Sequence, residues 1–116
     1  MSVVIYHNPR CSKSRETLVL LEAQQIKPTI IKYLDTPPNV AELKQLYAQL
    51  NLPNVRCMMR TKEALYQTLN LADQNLSDDA LFQAMAEHPK LIERPIVVAN
   101  GQARHGRPPE QVLDIL

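Results

Sequence analysis

The feature that most constrains the fold is the order in which short β-branched runs and helical stretches alternate. The run "SVVIYH" stops at Asn8-Pro9, as a short buried strand does. The apolar spacing after it predicts a helix that begins near Ser12 and ends before Pro28. The run "PTIIKYL" is typical of a second strand. The first third of the chain is therefore predicted to be β-α-β.

The middle of the chain has a helical pattern from about residue 40 to residue 86. Asn39 and Ser77 stand where helix N-caps are expected, because their short polar side chains can accept a hydrogen bond from the first turn. Asn and Pro residues interrupt the pattern, so three or four short helices are predicted rather than one long helix.

The last quarter of the chain predicts two strands and a helix. "RPIVVAN" is a third strand with Pro95 at its first position, where the missing N–H costs least. Asn100-Gly101 is a hairpin turn signal that leads into "QARHG" as a fourth strand. Pro108-Pro109-Glu110 then opens a last helix. The whole order is typical of an α/β, thioredoxin-like fold with a mixed four-stranded sheet: β-α-β, a helical insertion, then β-β-α.

Length and charge narrow the class of protein. The chain has 116 residues, of which 45% are hydrophobic, so we expect a single domain over 1–116 with a helical insertion at about 40–88. The net charge of +1 provides no broad positive field, so we expect no nucleic acid and no membrane as partner. The short apolar runs and the absence of a signal-like segment predict a cytoplasmic protein.

Cys11 lies in "YHNPRCSKSRETL", directly before the predicted first helix. The partial positive charge of a helix N-terminus favours a thiolate, which is the reactive form of cysteine. The hydroxyls of Ser12 and Ser14 add donors, and His7 is close enough in sequence to act on the sulfur. This pattern indicates an activated thiolate beside a small anion site. The alternatives are that Cys11 is a small hydrophobic residue and that His7 is only structural.

Cys57 lies in "NVRCMMRTK", between apolar neighbours on a predicted helix. We expect it to contribute to the core. The alternative is a resolving thiol, which would require the Cα atoms of Cys57 and Cys11 to lie within roughly 7 Å. An ordinary disulfide or a zinc site is not expected from two widely separated cysteines in a cytoplasmic chain.

Three segments together resemble one family: "IYHNPRCSKSRETL", "RCMMRTKEALYQTLNLAD" and "HPKLIERPIVVANGQARHGRPPEQVLDIL". The chain is similar over nearly its whole length to glutaredoxin-coupled arsenate reductases of the thioredoxin-like class. The resemblance implies that Cys11 is the nucleophile and that His7 and Ser14 tune its ionisation. It also implies that Arg60, Arg94 and Arg107 bind arsenate, a role suited to the forked, permanently charged guanidinium.

Each arginine also has a structural alternative. Arg60 could form an ion pair on a helix surface, Arg94 could be a strand-edge charge, and Arg107 could be a plain surface residue.

Other residues are expected outside the site. Arg15, Arg56 and Arg104 are predicted to be surface charges, Met58, Met59 and Met85 to fill the core, and His88 and His105 to be structural or exposed, with no metal site.

The resemblance implies reduction of arsenate to arsenite through the Cys11 thiolate, with no bound cofactor, glutathione as co-substrate and glutaredoxin as partner. Ser14 in "CSKS" leaves the loop without a second cysteine, so the further thiols come from outside.

Three alternatives stay open. The chain could be a thioredoxin-like redox regulator, although such a switch is expected to use Cys-x-x-Cys, or a noncatalytic oxyanion-binding domain. It could also act on another thiol or oxyanion.

Overall fold

Four short strands form one mixed sheet in the computed structural model, which describes residues 2–116. The strands are β1 (Val3–Tyr6), β2 (Thr29–Ile31), β3 (Ile96–Ala99) and β4 (Gln102–His105). Their order across the sheet is β2-β1-β3-β4. Strand β1 is parallel to β2 and antiparallel to β3, and β4 is antiparallel to β3. This is the thioredoxin-like mixed sheet that the sequence predicted.

The register of the sheet is fixed at its centre and at its hairpin. Val4 of β1 lies opposite Thr29 on one side and Val98 on the other. Asn100 and Gly101 both have left-handed backbone angles, with φ of 55° and 76°. A two-residue turn with left-handed residues matches the twist of the strands that it joins. The hairpin predicted at these two residues is therefore confirmed.

The chain divides into two compact units, and one of them contains the whole sheet. This unit comprises the residues up to Thr36 and those from Arg94 onward. It also holds helix α1 (Ser12–Ala23) and a C-terminal 3₁₀ helix (Pro109–Ile115). The core of the unit is formed by Val3, Ile5, Leu21, Val97, Ala99, Val112 and Ile115. Alternate residues of β1 thus enter the core, as expected for a strand with one buried face.

The last helix is present in the 3₁₀ form rather than as an α-helix. Its hydrogen bonds span three residues, as shown by Gln111 N–H to Pro108 O at 3.0 Å and Leu116 N–H to Leu113 O at 3.3 Å. Pro109 lies at the start of this helix, where a proline removes no helical hydrogen bond. The prolines predict where a helix starts, but they do not distinguish the two helix types.

The second unit, residues 37–93, is helical. Its elements are α2 (Val40–Leu50), a 3₁₀ helix (Val55–Met58), α3 (Ala64–Thr68), α4 (Asp78–Glu87) and a 3₁₀ helix (Pro89–Leu91). Helix α2 packs against α4, with the rings of Tyr47 and Phe82 in an edge-to-face arrangement at 5.8 Å. The description of the chain as one domain with a helical insertion stays a prediction.

Both predicted N-caps of this unit are confirmed. Ser77 Oγ accepts from the N–H of Ala80 at 3.1 Å. Asn39 and Glu42 form a reciprocal capping box, in which Asn39 Oδ1 accepts from Glu42 N–H at 2.8 Å and Glu42 Oε1 accepts from Asn39 N–H at 3.1 Å. The longest helix within residues 2–116, α1, has 12 residues. Within residues 2–116 no helix is both long and apolar enough to cross a membrane.

The capping box predicts the effect of changing Asn39. Asn39→Ala removes the acceptor for Glu42 N–H, so the free energy of unfolding is expected to fall by about 1 kcal/mol. Asn39→Asp keeps an acceptor at the same position and is expected to retain most of the stability. Urea denaturation of the three proteins measures the difference. Equal destabilisation by both substitutions would contradict a role for the cap.

Candidate active site

Cys11 is the N-cap residue of α1, with extended backbone angles of φ −93° and ψ 124°. Its N–H donates to the carbonyl of Asn8 at 3.0 Å, and its carbonyl accepts from the N–H of Arg15 at 3.0 Å. The side chain is 7% exposed. The turn before Cys11 and the first turn of the helix after it therefore hold the sulfur at the positive end of α1.

A buried polar network stabilises the loop that carries Cys11. Ser14 Oγ lies 2.5 Å from His7 Nδ1 and accepts from the N–H of Asn8 at 3.0 Å. His7 and Ser14 are 6% and 0% exposed. Burial lowers the pKa of His7, and the positive charges of Lys32 and Arg15 lower it further, so the imidazole is favoured in its neutral form. The His7 side chain thus contacts Ser14 rather than the sulfur, and the predicted role of His7 in tuning Cys11 stays a prediction.

Two arginines of the first unit come together at the open end of the β3–β4 hairpin. Arg107 Nε donates to the carbonyl of Arg94 at 2.8 Å, and Arg107 Nη2 lies 3.8 Å from Cys11 Sγ. Gly106 N–H donates to Pro95 O at 3.0 Å, which continues the pairing of the two strands. The antiparallel register therefore places Arg94 beside Arg107, although 13 residues separate them in sequence.

Gly106 allows this hairpin end to approach α1. A Cβ atom built on Gly106 would overlap the side chain of Thr17 and lie 2.8 Å from Pro95 Cγ. Thr17 is fully buried in α1, and its hydroxyl donates to Lys13 O at 2.7 Å. Sequence reasoning gave neither residue a role in the site. The chain has only two glycines, and once Gly101 is assigned to the turn, Gly106 next to Arg107 is the signal that could have found this contact.

The ionisation of Cys11 depends on a balance of opposing effects. Burial alone would raise the pKa of the thiol. The backbone N–H of Ser14, the charge of Arg94, the backbone N–H of Lys13 and the charge of Arg107 lower it, in that order of size. The net pKa lies below its ordinary value. The Cys11 side chain forms no capping hydrogen bond in this structure. The backbone N–H groups at the start of α1 nevertheless favour the thiolate over the thiol.

Arg60 belongs to the second unit. Its Nη1 lies 3.2 Å from Glu63 Oε2, and its backbone N–H donates to Leu91 O at 2.7 Å. The ion pair that was the structural alternative for Arg60 is therefore present. Its role in anion binding stays a prediction from the resemblance.

The expected core position of Cys57 is wrong. Cys57 is an exposed free cysteine whose sulfur donates to Asn54 Oδ1 at 3.6 Å. It lies in the 3₁₀ helix Val55–Met58, not in an α-helix. The buried residues of this helix are Val55 and Met58, which are one 3₁₀ turn apart, and Met59 directly after the helix is also buried. The prediction that Met58, Met59 and Met85 fill the core is confirmed.

The other arginines differ in their surroundings. Arg15 is exposed as predicted, and its Nη1 donates to Pro9 O at 3.0 Å. The prediction for Arg56 is wrong, because it is half-buried and donates to the carbonyls of Leu71 at 3.1 Å and Asp73 at 2.7 Å. These are structural bonds between distant segments, which local sequence does not reveal.

The remaining basic candidates are half-buried rather than fully exposed. Arg104 donates to Ala103 O at 2.8 Å, so it is not a plain surface charge. His88 and His105 are also half-buried. In the part of the chain that the structure describes, residues 2–116, no group of three His, Cys, Asp or Glu side chains is arranged to hold a metal ion.

A family comparison covers all of these site residues. The model of the ArsC family matches residues 6–115, which include the Cys11 loop, both hairpin arginines and Arg60. The chain belongs to the ArsC family. This confirms the resemblance on which the sequence interpretation rested.

Relatives of this ArsC chain are similar over nearly their whole length. An arsenate reductase of Haemophilus influenzae is 55% identical over 116 residues, covering all of both chains. The uncharacterized protein YfgD of Escherichia coli K12 is 60% identical over 114 residues, 98% of this chain and 96% of that one. The solved structure of an arsenate reductase from Vibrio cholerae is 77% identical, with a TM-score of 0.99 and coverage of 100% and 98%. The ArsC fold is therefore the fold of this chain.

The charges around the sulfur predict how the alkylation rate of Cys11 depends on pH. In a Cys57→Ser background, which removes the exposed second thiol, alkylation by iodoacetamide should report an apparent pKa below the roughly 8.5 of a free thiol. Arg107→Ala should raise that pKa, because it removes a positive charge beside the sulfur. The measurement is the alkylation rate from pH 5 to pH 10.

Lys27→Ala is the matched control for this measurement. Lys27 is an exposed lysine in the same unit, outside the site, so its loss changes net charge by the same amount. It should leave the pKa of Cys11 unchanged. If Lys27→Ala and Arg107→Ala raise it equally, net charge rather than the local guanidinium controls the thiol.

Burial of His7 predicts a pH dependence of stability. The folded-state pKa of His7 lies below that of the unfolded chain, about 6.5, so the unfolded state binds the proton more readily. The free energy of unfolding should therefore fall as the pH drops below about 6.5, by at most about 1.4 kcal/mol per pH unit from this group. His7→Asn keeps an acceptor near the Nδ1 position and cannot titrate. Urea denaturation at pH 7.5 and pH 5.5 should show a smaller loss for the variant; equal losses would exclude His7 as the cause.

Proposed function

We propose that this chain reduces arsenate to arsenite, with Cys11 as the nucleophile, glutathione as co-substrate and glutaredoxin as the partner that completes the cycle in the cytoplasm. The observation that supports this most directly is the position of Cys11 Sγ, at the N-terminus of α1 and 3.8 Å from Arg107 Nη2. One arrangement thus favours both a thiolate and a bound oxyanion. The family membership and the arsenate reductases among the relatives support the same substrate.

The guanidinium groups explain how an anion can approach a negative sulfur. Arsenate and the thiolate repel each other, so the substrate has to be neutralised as it arrives. Arg94 and Arg107 both act electrostatically on Cys11 from the hairpin end. A guanidinium keeps its charge and can donate two parallel hydrogen bonds to a tetrahedral anion. The resemblance adds Arg60 as a third arginine.

In the first step the Cys11 thiolate attacks the arsenic of bound arsenate. A sulfur–arsenic bond forms, one arsenic–oxygen bond breaks, and the oxygen leaves as water after taking protons from the solvent. The arsenic stays pentavalent in this covalent adduct. Covalent capture divides the reduction into steps with lower barriers.

In the second step a glutathione thiolate attacks the Cys11 sulfur of the adduct. A disulfide bond forms, the sulfur–arsenic bond breaks, and its electron pair stays on arsenic, which leaves as trivalent arsenite. The two thiols lose two electrons and the arsenic gains two, so the step balances. Cys11 is left as a mixed disulfide with glutathione.

The third step restores the thiolate with a thiol from outside the loop. A glutaredoxin thiolate attacks the glutathione sulfur and releases Cys11 with its electron pair. The segment "CSKS" holds Ser14 where a Cys-x-x-Cys motif would place a resolving thiol. Ser14 is instead part of the buried contact with His7, which supports a mechanism with external thiols.

The test is arsenate-dependent NADPH consumption with glutathione, glutathione reductase and glutaredoxin. Cys11→Ser should lower the rate by about 10³-fold or more, because the nucleophile is removed. Cys57→Ser removes the other thiol, which is exposed, and should leave the rate unchanged. Arsenite released per NADPH oxidised should approach one, as the electron balance requires.

The two serine variants also separate the alternatives. A noncatalytic oxyanion-binding domain would show no arsenate-dependent consumption in the parent protein, and Cys11→Ser would bind arsenate as the parent does. Equal rates for Cys11→Ser and the parent would overturn the assignment of the nucleophile.

A further inference from the structure

A second feature of the first unit is a cleft of about 380 Å³ next to the Cys11 loop. Clefts of this size are within the range used by small-molecule ligands. Its walls come from the segment after β1 and the segment after β2. The lining residues are His7, Asn8, Pro9, Arg10, Lys32, Leu34 and Asp35.

The wall of the cleft is the same loop that holds the sulfur. Arg10 directly precedes Cys11, and the carbonyl of Asn8 accepts from the N–H of Cys11 at 3.0 Å. His7 N–H donates to Ile31 O at 2.8 Å, which joins the ends of β1 and β2. Cys11 itself does not line the cleft, but it is bonded directly to Arg10, which does.

The cleft carries three charged side chains. Arg10, Lys32 and Asp35 are exposed, and within residues 2–116 none of these three side chains forms an ion pair or a hydrogen bond. Lys32 and Asp35 share one turn, since Asp35 N–H donates to Lys32 O at 2.9 Å. Lys32 and His7 both line the cleft, and the charge of Lys32 lowers the pKa of His7. The cleft thus presents two cations and one carboxylate.

We propose that this cleft binds the thiol co-substrate of the reaction, a tripeptide thiol of the glutathione class, an inference that rests on the proposed function. Glutathione has two carboxylates and one ammonium, the complement of Arg10, Lys32 and Asp35. Leu34, 38% exposed, and Pro9 offer apolar surface to its methylene groups. Binding there holds the tripeptide against the loop that carries Cys11, which raises its effective concentration near the sulfur that it attacks.

The charge pattern also separates this cleft from the arsenate site. Asp35 would repel an arsenate dianion, whereas it can pair with the ammonium of the tripeptide. The arginines that act on Cys11, Arg94 and Arg107, come from the hairpin ends, and neither lines the cleft. Different segments of the unit therefore supply the charges for the oxyanion and for the thiol.

A thiol-exchange measurement tests the cleft without arsenate. In the Cys57→Ser background, Cys11 is converted to its 2-pyridyl disulfide. An attacking thiolate forms a disulfide bond to Cys11, the bond to the pyridylthio group breaks, and the coloured pyridine-2-thione leaves with the electron pair. The rate is compared for glutathione and for the neutral thiol 2-mercaptoethanol.

Lys32→Glu reverses one charge of the cleft. It should lower the exchange rate of glutathione about tenfold relative to that of 2-mercaptoethanol. Lys27→Glu makes the same charge change at an exposed lysine that does not line the cleft. It should leave the ratio of the two rates unchanged. A general effect of the substitution on the reactivity of Cys11 changes both rates equally, so it cancels in the ratio of the glutathione rate to the 2-mercaptoethanol rate. Equal slowing of both thiols by Lys32→Glu, or an equal change of the ratio by Lys27→Glu, would overturn the inference.

Binding itself is measured with S-methylglutathione, which cannot react. Titration into ¹⁵N-labelled parent protein should shift the amide signals of Asn8, Lys32 and Asp35. Shifts confined to other residues would overturn the cleft as the binding site.

The outcomes are distinguishable from those of the proposed function. Suppose that exchange with glutathione depends on Lys32 as expected but that the parent protein does not reduce arsenate. This result would support the cleft as the glutathione site and overturn only arsenate as the substrate. Arsenate reduction by Lys32→Glu with an unchanged KM for glutathione would overturn only the cleft.

Discussion

The stabilisation of one negative sulfur at a helix N-terminus is the interaction on which the site depends. Burial of Cys11 opposes ionisation, because a charge loses solvation when it leaves water. The N–H groups of Lys13 and Ser14 and the charges of Arg94 and Arg107 outweigh that cost. The same positive groups suit an incoming oxyanion. The lowered pKa of Cys11 thus follows from a local excess of positive charge in a protein whose net charge is only +1.

The fold supplies that charge by bringing three distant segments together. The hairpin register places Arg94 and Arg107 side by side, and the absence of a side chain at Gly106 lets the hairpin end approach Thr17 of α1. The buried contact between Ser14 and His7 holds the loop that precedes Cys11. The close approach at Gly106 and the contact between Ser14 and His7 are both packing features. Each of them determines the position of a charged or ionisable group.

Under the proposed function, the division of charges between two places in one unit lets a small protein bind two anionic reactants. The hairpin arginines act on the sulfur, where the oxyanion reacts in the proposed mechanism. The cleft between the segments after β1 and β2 has a carboxylate among its cations, which suits a zwitterionic thiol better than a dianion. In the proposed mechanism the reducing thiols are separate molecules, because the loop itself has one cysteine.

The sequence by itself determined the strands and their order, the hairpin at Asn100-Gly101 and the caps at Asn39 and Ser77. These features depend on residues that are neighbours in the chain, where periodicity and turn chemistry act directly. It also placed Cys11 before a helix, which is a local property. The thioredoxin-like arrangement followed from the order of the elements.

Only the tertiary structure decided the contacts between distant segments. Arg107 and Cys11 are 96 residues apart, and no local pattern specifies a distance of 3.8 Å between their side chains. The same reason accounts for Arg56, which bonds to carbonyls 15 and 17 residues away, and for the close approach at Gly106. Cys57 was misplaced because a 3₁₀ turn and an α-helix share apolar neighbours in sequence but direct them to different sides.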